Sequence, residues 1–250
     1  MVSRSFANRL GLKLLPGVGQ TMAGVTGIEN PLQVALLPTL RMGGATLRNV
    51  VMMVLDDSNL KVGLGEQAYQ INGIIGYPVF QALGTVTFLH DGEFEAGDKN
   101  RSMQGGARMY LKLMTPVIEC VVQGKNLPFS FDTGASDTNL SVRYYDQFHN
   151  KSGGWKKGKI ESSGAGGLVK RTVYFQPELN LGIDNRTVTL RRVLIFPSTL
   201  RTGIDDLYGN LGQDVAAEFD SFTLDFSAMT FSMGEPLSPD ASHSIQPGVD

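Results

Sequence analysis

The chain has 250 residues, 42% of them hydrophobic and 18% charged, with a net charge of −2. That is enough for one large or two small domains with their own cores, and the near-neutral balance excludes a general nucleic-acid surface. The 30 glycines point to a turn-rich β fold, the single Cys120 rules out an intrachain disulfide, and no apolar run reaches the length of a membrane span.

Residues 1–15 are amphipathic and lack the continuous apolar centre of a signal peptide. If the natural protein starts upstream, that says nothing about export, and the compartment stays open. Val2, Phe6 and Leu10 share helical spacing, Ser3 can cap the helix and Gly11 can stop it. Residues 16–30 hold Gly17, Gly19, Gly24 and Gly27 without the G-x-G-x-x-G spacing, so a mobile hairpin is the better reading than a phosphate loop. Residues 32–42 and 46–55 read as strands. Gly73-Ile74-Ile75-Gly76 precedes a short helix at Pro78–Leu83 and a strand at Thr85–Leu89. The polar, Gly-rich residues 91–106 read as a boundary.

Strand patterns resume at Met109–Met114 and Pro116–Gln123, and Cys120 within the second reads as a buried apolar residue. After a turn at Gly124-Lys125-Asn126 comes Phe129-Ser130-Phe131-Asp132-Thr133-Gly134-Ala135-Ser136. Alternation puts Phe129 and Phe131 on one strand face, Asp132 at the strand's end, and Gly134 in a turn whose N–H groups can approach the carboxylate.

This octapeptide resembles the catalytic turn of aspartic proteases, in the retropepsin-like branch found in bacterial proteins. The resemblance implies Asp132 as a catalytic carboxylate, Thr133 and Gly134 as turn support, and Ser136 as a hydrogen-bond partner for the outer oxygen of Asp132. It also implies closed β-barrel (acid protease) domains.

The chain then repeats itself. Asn139–Phe148 lays over residues 1–10 without gaps: Ser141 on Ser3, Tyr144 on Phe6, Phe148 on Leu10. Gly209-Asn210-Leu211-Gly212 matches Gly73–Gly76, and Ser221–Leu224 matches Thr85–Phe88. The resemblance implies that the apolar-Gly turn packs behind the Asp turn. Asn210 departs from that pattern, which predicts either a local packing loss or an extra hydrogen bond. Ser163–Gly167 matches Ala23–Gly27, giving candidate flaps at Gly164, Ala165, Gly166 and Gly167 and at Gly24. A plain flexible loop is the alternative.

The expected architecture is therefore all-β with short helices, two retropepsin-like barrels in tandem. Residues 1–90 form a first domain lacking its Asp-Thr-Gly turn, 91–106 a linker, 107–233 a second domain, and 234–250 a disordered tail. With residue 1 aligned on Asn139, the first domain lacks the counterpart of about residues 107–138, which suggests a fragment or a mis-assigned start.

Aspartic proteolysis needs two carboxylates sharing a proton, because like charges about 3 Å apart cannot both ionise. One takes a proton from water while the other polarises the scissile carbonyl. A lone carboxylic acid, ordinarily near pKa ~3.9, cannot fill both roles. The partner of Asp132 is Asp132 of a second chain in a homodimer, an aspartate from an upstream segment, or absent. Asp137 reads as solvated or capping, and Asp56-Asp57 and Asp205-Asp206 as loop carboxylates. His90, His149 and His243 lack metal spacing, G-x-S-x-G is absent, and no cofactor is called for. Trp155 beside Lys156-Lys157 reads as an exposed hairpin feature. The expectation is an aspartic endopeptidase acting on a peptide or protein substrate, with a non-catalytic peptide-binding or dimerisation module as the alternative.

Overall fold

The computed structural model describes residues 1–23, 29–62, 69–97, 105–112, 115–151, 154–164, 167–200 and 205–237. The chain is mostly strand and divides into two compact units. The first comprises Met1–Ala82, Gly158–Thr172 and Thr199–Gly203; the second comprises Leu83–Lys157, Val173–Ser198 and Ile204–Asp250.

In the first unit, β1 (Val2–Ser3) runs straight into α1 (Arg4–Arg9). Ser3 caps the helix by accepting a hydrogen bond from Phe6 N–H at 3.3 Å. Gly11, at φ 65°, ends it in the left-handed conformation that glycine adopts freely. The helix buries Ala7, while Leu10, which shares helical spacing with Val2 and Phe6, is 46% exposed. Three longer strands follow, β2 (Leu14–Ala23), β3 (Glu29–Met42) and β4 (Ala45–Leu55), in the sheet order β1-β4-β3-β2. The hairpin read at residues 16–30 thus has its arms in β2 and β3, while its tip, with Gly24, lies outside the described residues.

β1 pairs with β4 in parallel, with Val2 opposite Val54. Alternation along β4 serves two small cores. Val54 packs with Val2, Ala7 and Ala35, and Leu55 with Leu32 and Leu60. The remaining elements are β5 (Lys61–Val62), β6 (Tyr69–Gln70) and α2 (Tyr77–Leu83).

The second unit is built from β7 (Thr85–Leu89), β8 (Phe94–Ala96), β9 (Ala107–Lys112), β10 (Thr115–Val122), β11 (Lys125–Phe131) and β12 (Asn139–Leu140). Helix α3 (Val142–Phe148) follows, then β13 (Lys156–Gly164) and β14 (Gly167–Ile183), of which Gly158–Gly164 and Gly167–Thr172 belong to the first unit, and then β15 (Arg186–Ile195), β16 (Gly209–Leu211), β17 (Ser221–Asp225) and β18 (Thr230–Met233). The strands β14-β15-β12-β16-β11-β10 are hydrogen-bonded in that order, and β10 pairs back to β14 at Val121 and Gly182. The sheet closes on itself, so these strands form a barrel without free edges. Its interior is filled by Ile118, Cys120, Phe129, Leu140, Leu181, Ile183, Val188, Ile195 and Leu211, none more than 1% exposed. Burial pushes the Cys120 thiol pKa up, as befits an apolar core residue.

Beyond β10 the sheet continues through β9, β18, β17, β7 and β8. The strand Thr85–Leu89 and its sequence match Ser221–Asp225 lie side by side and antiparallel, with Thr87 opposite Thr223. Their Oγ1 atoms are 2.8 Å apart in a buried hydrogen bond, and Phe88 stacks on Phe222 at 4.8 Å. A repeated strand has thus paired with its own copy, as self-complementary surfaces do. Within the expected linker, β8 pairs with β7. At the start of the expected tail, Pro236 bridges Phe219, and residues 238–250 lie outside the described residues.

Trp155 is not the exposed feature expected from its lysine neighbours. It is half-buried among Tyr144, Tyr145, His149 and Tyr174, with ring centroids 6.0–6.4 Å away.

The threonine pair gives a direct test. Thr87→Val alone leaves the Thr223 hydroxyl buried without its partner and should lower stability by about 1–3 kcal/mol. Adding Thr223→Val should recover most of that loss, because both polar groups are then gone. Urea unfolding of the two single variants and the double variant measures the coupling.

Candidate active site

The site is positioned by one parallel pairing. β11 runs beside β16, with Ser130 opposite Asn210 and Phe131 opposite Leu211. Phe129 and Phe131 are 0% and 4% exposed and anchor β11 in the core. Phe131 meets Phe222 and Phe231 edge-on, at centroid distances of 5.3 and 5.1 Å. The alternation expected for this strand therefore holds. Where β11 ends, Asp132 N–H donates to Leu211 O at 3.0 Å, and the Asp132 side chain emerges into solvent.

The turn then folds back on its own carboxylate. Gly134 N–H donates to Asp132 Oδ1 at 2.8 Å, and Ala135 N–H donates to Asp132 O at 3.1 Å. A Cβ at Gly134 would stand 3.1 Å from Asp132 Oδ1, so the glycine keeps that approach open.

The apolar-Gly turn packs behind this one and holds it by several bonds. Gln213 N–H donates to Ala135 O at 2.8 Å, Asp214 N–H to Ser136 O at 3.2 Å, and Gln213 Nε2 to Thr133 O at 2.6 Å. At Gly212 a Cβ would lie 2.8 Å from Ala135 O and 2.9 Å from Asp137 N, so no larger residue fits. The departure at Asn210 resolves as an extra hydrogen bond. Its Oδ1 accepts from Ser130 Oγ at 2.7 Å, giving a buried hydroxyl a second acceptor beside Gly209 O at 3.2 Å.

A clasp that sequence reading did not single out completes the site. Asp214 accepts from Thr138 N–H at 2.8 Å and from Thr138 Oγ1 at 2.6 Å. Thr138 Oγ1 in turn accepts from Gly212 N–H at 3.0 Å. Thr138 is 2% exposed, so one buried hydroxyl ties the Asp turn to the turn behind it. Burial raises the Asp214 pKa, the two Thr138 hydrogen bonds oppose that, and the nearby charge of Asp137 adds to it. The sequence did carry a signal, a second Asp-Thr pair at Asp137-Thr138. Asp137 itself is exposed, as expected.

The structure therefore brings Asp132, Thr133, Gly134 and Ser136 together on one turn. Thr133 and Ser136 each contribute a backbone carbonyl to the packing, and Ser136 is exposed. Of the candidate flap, Gly164 ends β13 and Gly167 begins β14, while Ala165, Gly166 and Gly24 lie outside the described residues. The other carboxylates singled out are engaged elsewhere: Asp56 pairs with Arg4, Asp57 accepts from Ser5 N–H, and Asp206 pairs with Lys112.

A closed barrel whose aspartate turn is backed by an apolar-Gly turn has the plan of a retropepsin-like acid protease domain. Residues 1–79 match the family described as aspartyl protease. Among solved structures, the chain is similar to "EIAV protease complexed with the inhibitor HBY-793", at 20% identity and a TM-score of 0.31, over 42% of this chain and 88% of that one. No curated protein matches it in sequence. Among the described residues, no helix is long and apolar enough to cross a membrane.

The Asp214 clasp predicts a pH signature. A carboxyl whose pKa rises on folding gives stability that is fully present below its ordinary value of 3.8 and is lost as pH rises through the raised value. Asp214→Asn removes that titration. Relative to Asp214→Asn, the native chain should lose stability as pH rises from about 3.8 and then level off. Urea midpoints of both proteins from pH ~3 to ~7 check this, and a pH-independent difference between them would refute it.

Proposed function

We propose that the protein is an aspartic endopeptidase in which Asp132 is one of two required carboxylates. The observation that carries this reading is the Asp132 turn itself. An exposed carboxylate stands at the end of a buried strand, with one oxygen accepting from Gly134 N–H and the turn braced from behind. Such bracing fixes the carboxylate before substrate arrives, which is what general-base activation of a water demands. Gly134 shapes the turn, and Thr133 and Ser136 support it through their carbonyls.

The second carboxylate shares a proton with Asp132, so that one member activates water while the other polarises the peptide carbonyl. A second copy of the chain in a homodimer, or further polypeptide, supplies it. A non-catalytic peptide-binding module is the second reading, favoured by a single Asp-Thr-Gly among the 250 residues.

Peptide-library cleavage between pH ~4 and ~7 separates the two. The enzyme reading expects cleavage that a statine-type transition-state mimic blocks. It also expects Asp132→Asn to lower the rate by about 10²–10⁴-fold or more while leaving the unfolding midpoint near that of the native chain. Cleavage unaffected by Asp132→Asn would overturn the assignment.

A further inference from the structure

A cavity of about 490 Å³ opens in the second unit. None of the residues lining it belongs to the Asp132 turn or to the turn behind that one. Its volume is of the size that small molecules occupy.

The β14–β15 hairpin supplies one wall. Its turn residues Asp184 and Asn185 have left-handed backbone, at φ 48° and 60°, as a tight two-residue hairpin turn requires. Asp184 Oδ2 accepts from Met233 N–H at 3.3 Å, which holds the turn against β18. Asn185, Arg186 and Thr187 thereby line the cavity. The opposite wall is largely apolar. Phe219, 4% exposed, is bridged to Pro236, and Leu237 N–H donates to Glu218 O at 2.8 Å. Phe219, Pro236 and Leu237 make that surface, and the exposed Glu218 lines the cavity beside them.

The polar side chains here have bonding capacity left. Arg186 Nη2 donates to Glu235 Oε1 at 3.0 Å, and its guanidinium lies 5.9 Å from the Phe219 ring centroid. A guanidinium carries five N–H donors. Glu235 is 80% exposed, so the ion pair is weak and yields to a competing carboxylate. The side chains of Glu218, Asn185 and Thr187 have no hydrogen-bond partner among the described residues.

We propose that this cavity binds a small apolar zwitterion: an amino acid or dipeptide with a free ammonium group, a free carboxylate and an aliphatic side chain. The carboxylate takes the open donors of Arg186, whose planar fork suits it. The ammonium group neutralises Glu218. The aliphatic side chain leaves water to lie on Phe219, Pro236 and Leu237. An anion alone would add to the negative charge of Glu218 and Glu235, and a cation alone would meet Arg186. A molecule carrying both signs matches both walls.

The test titrates L-leucine and L-leucyl-L-leucine into the full native chain and follows the backbone amide signals of Thr187, Phe219 and Leu237 by NMR. Saturable shifts at those amides are expected from at least one of the two, with a dissociation constant of about 1 mM or tighter. Amidating the carboxylate or acetylating the amine of that ligand should each weaken binding by about tenfold or more. Arg186→Gln should erase the preference for acid over amide, and Glu218→Gln the preference for free over acetylated amine. Thermal midpoints check that both variants fold, and the blocked ligands test the native chain without any variant. The proposal is overturned by the absence of saturable shifts, by equal affinity for the blocked forms, or by shifts confined to the Asp132 turn. None of these outcomes depends on whether Asp132 is catalytic.

Discussion

The second unit depends on the parallel seat of β11 against β16. That pairing places the N–H of Asp132 on the carbonyl of Leu211, and so decides where a buried strand stops and an exposed carboxylate begins. Two side-chain hydroxyls reinforce it. Ser130 bonds across to Asn210 and Gly209, and Thr138 bonds to both Gly212 and Asp214. Each is buried, and a buried hydroxyl is costly unless it is paired. The two turns therefore stay in register or lose several bonds together.

The same seat explains the glycines around it. Gly209 and Gly212 lie where a Cβ would run into backbone of the Asp turn or of the strand that follows it. Close approach is the requirement there, and neither residue has the positive φ that would make conformational freedom the reason. In the first unit, Gly73 has only ordinary contacts, the nearest being Val2 at 3.5 Å. The same sequence motif is tight where β11 covers it and loose at Gly73.

The repeat links these observations to function. A fold built twice can pair with itself, as the Thr87 and Thr223 strands do. Acid protease chemistry needs its carboxylate twice for a related reason: one proton must be shared between two equivalent groups. The aspartyl protease match over residues 1–79 falls on the half that holds no Asp-Thr-Gly.

The sequence by itself determined the local elements. The strand before Asp132, the helices after Ser3 and Ser141, and the order of the repeat all follow from alternation, capping residues and glycine placement, which act over a few residues. Only tertiary structure decided the rest. Ala7 rather than Leu10 is buried because Val2, Ala35 and Val54, from three different strands, close around it. Asn210 became a hydrogen-bond acceptor because Ser130, far away in sequence, arrives opposite it. Trp155 is half-buried because tyrosines from α3 and β14 converge on it. The Thr138–Asp214 clasp joins residues 76 positions apart, and no local pattern encodes a contact that exists only once the barrel has closed.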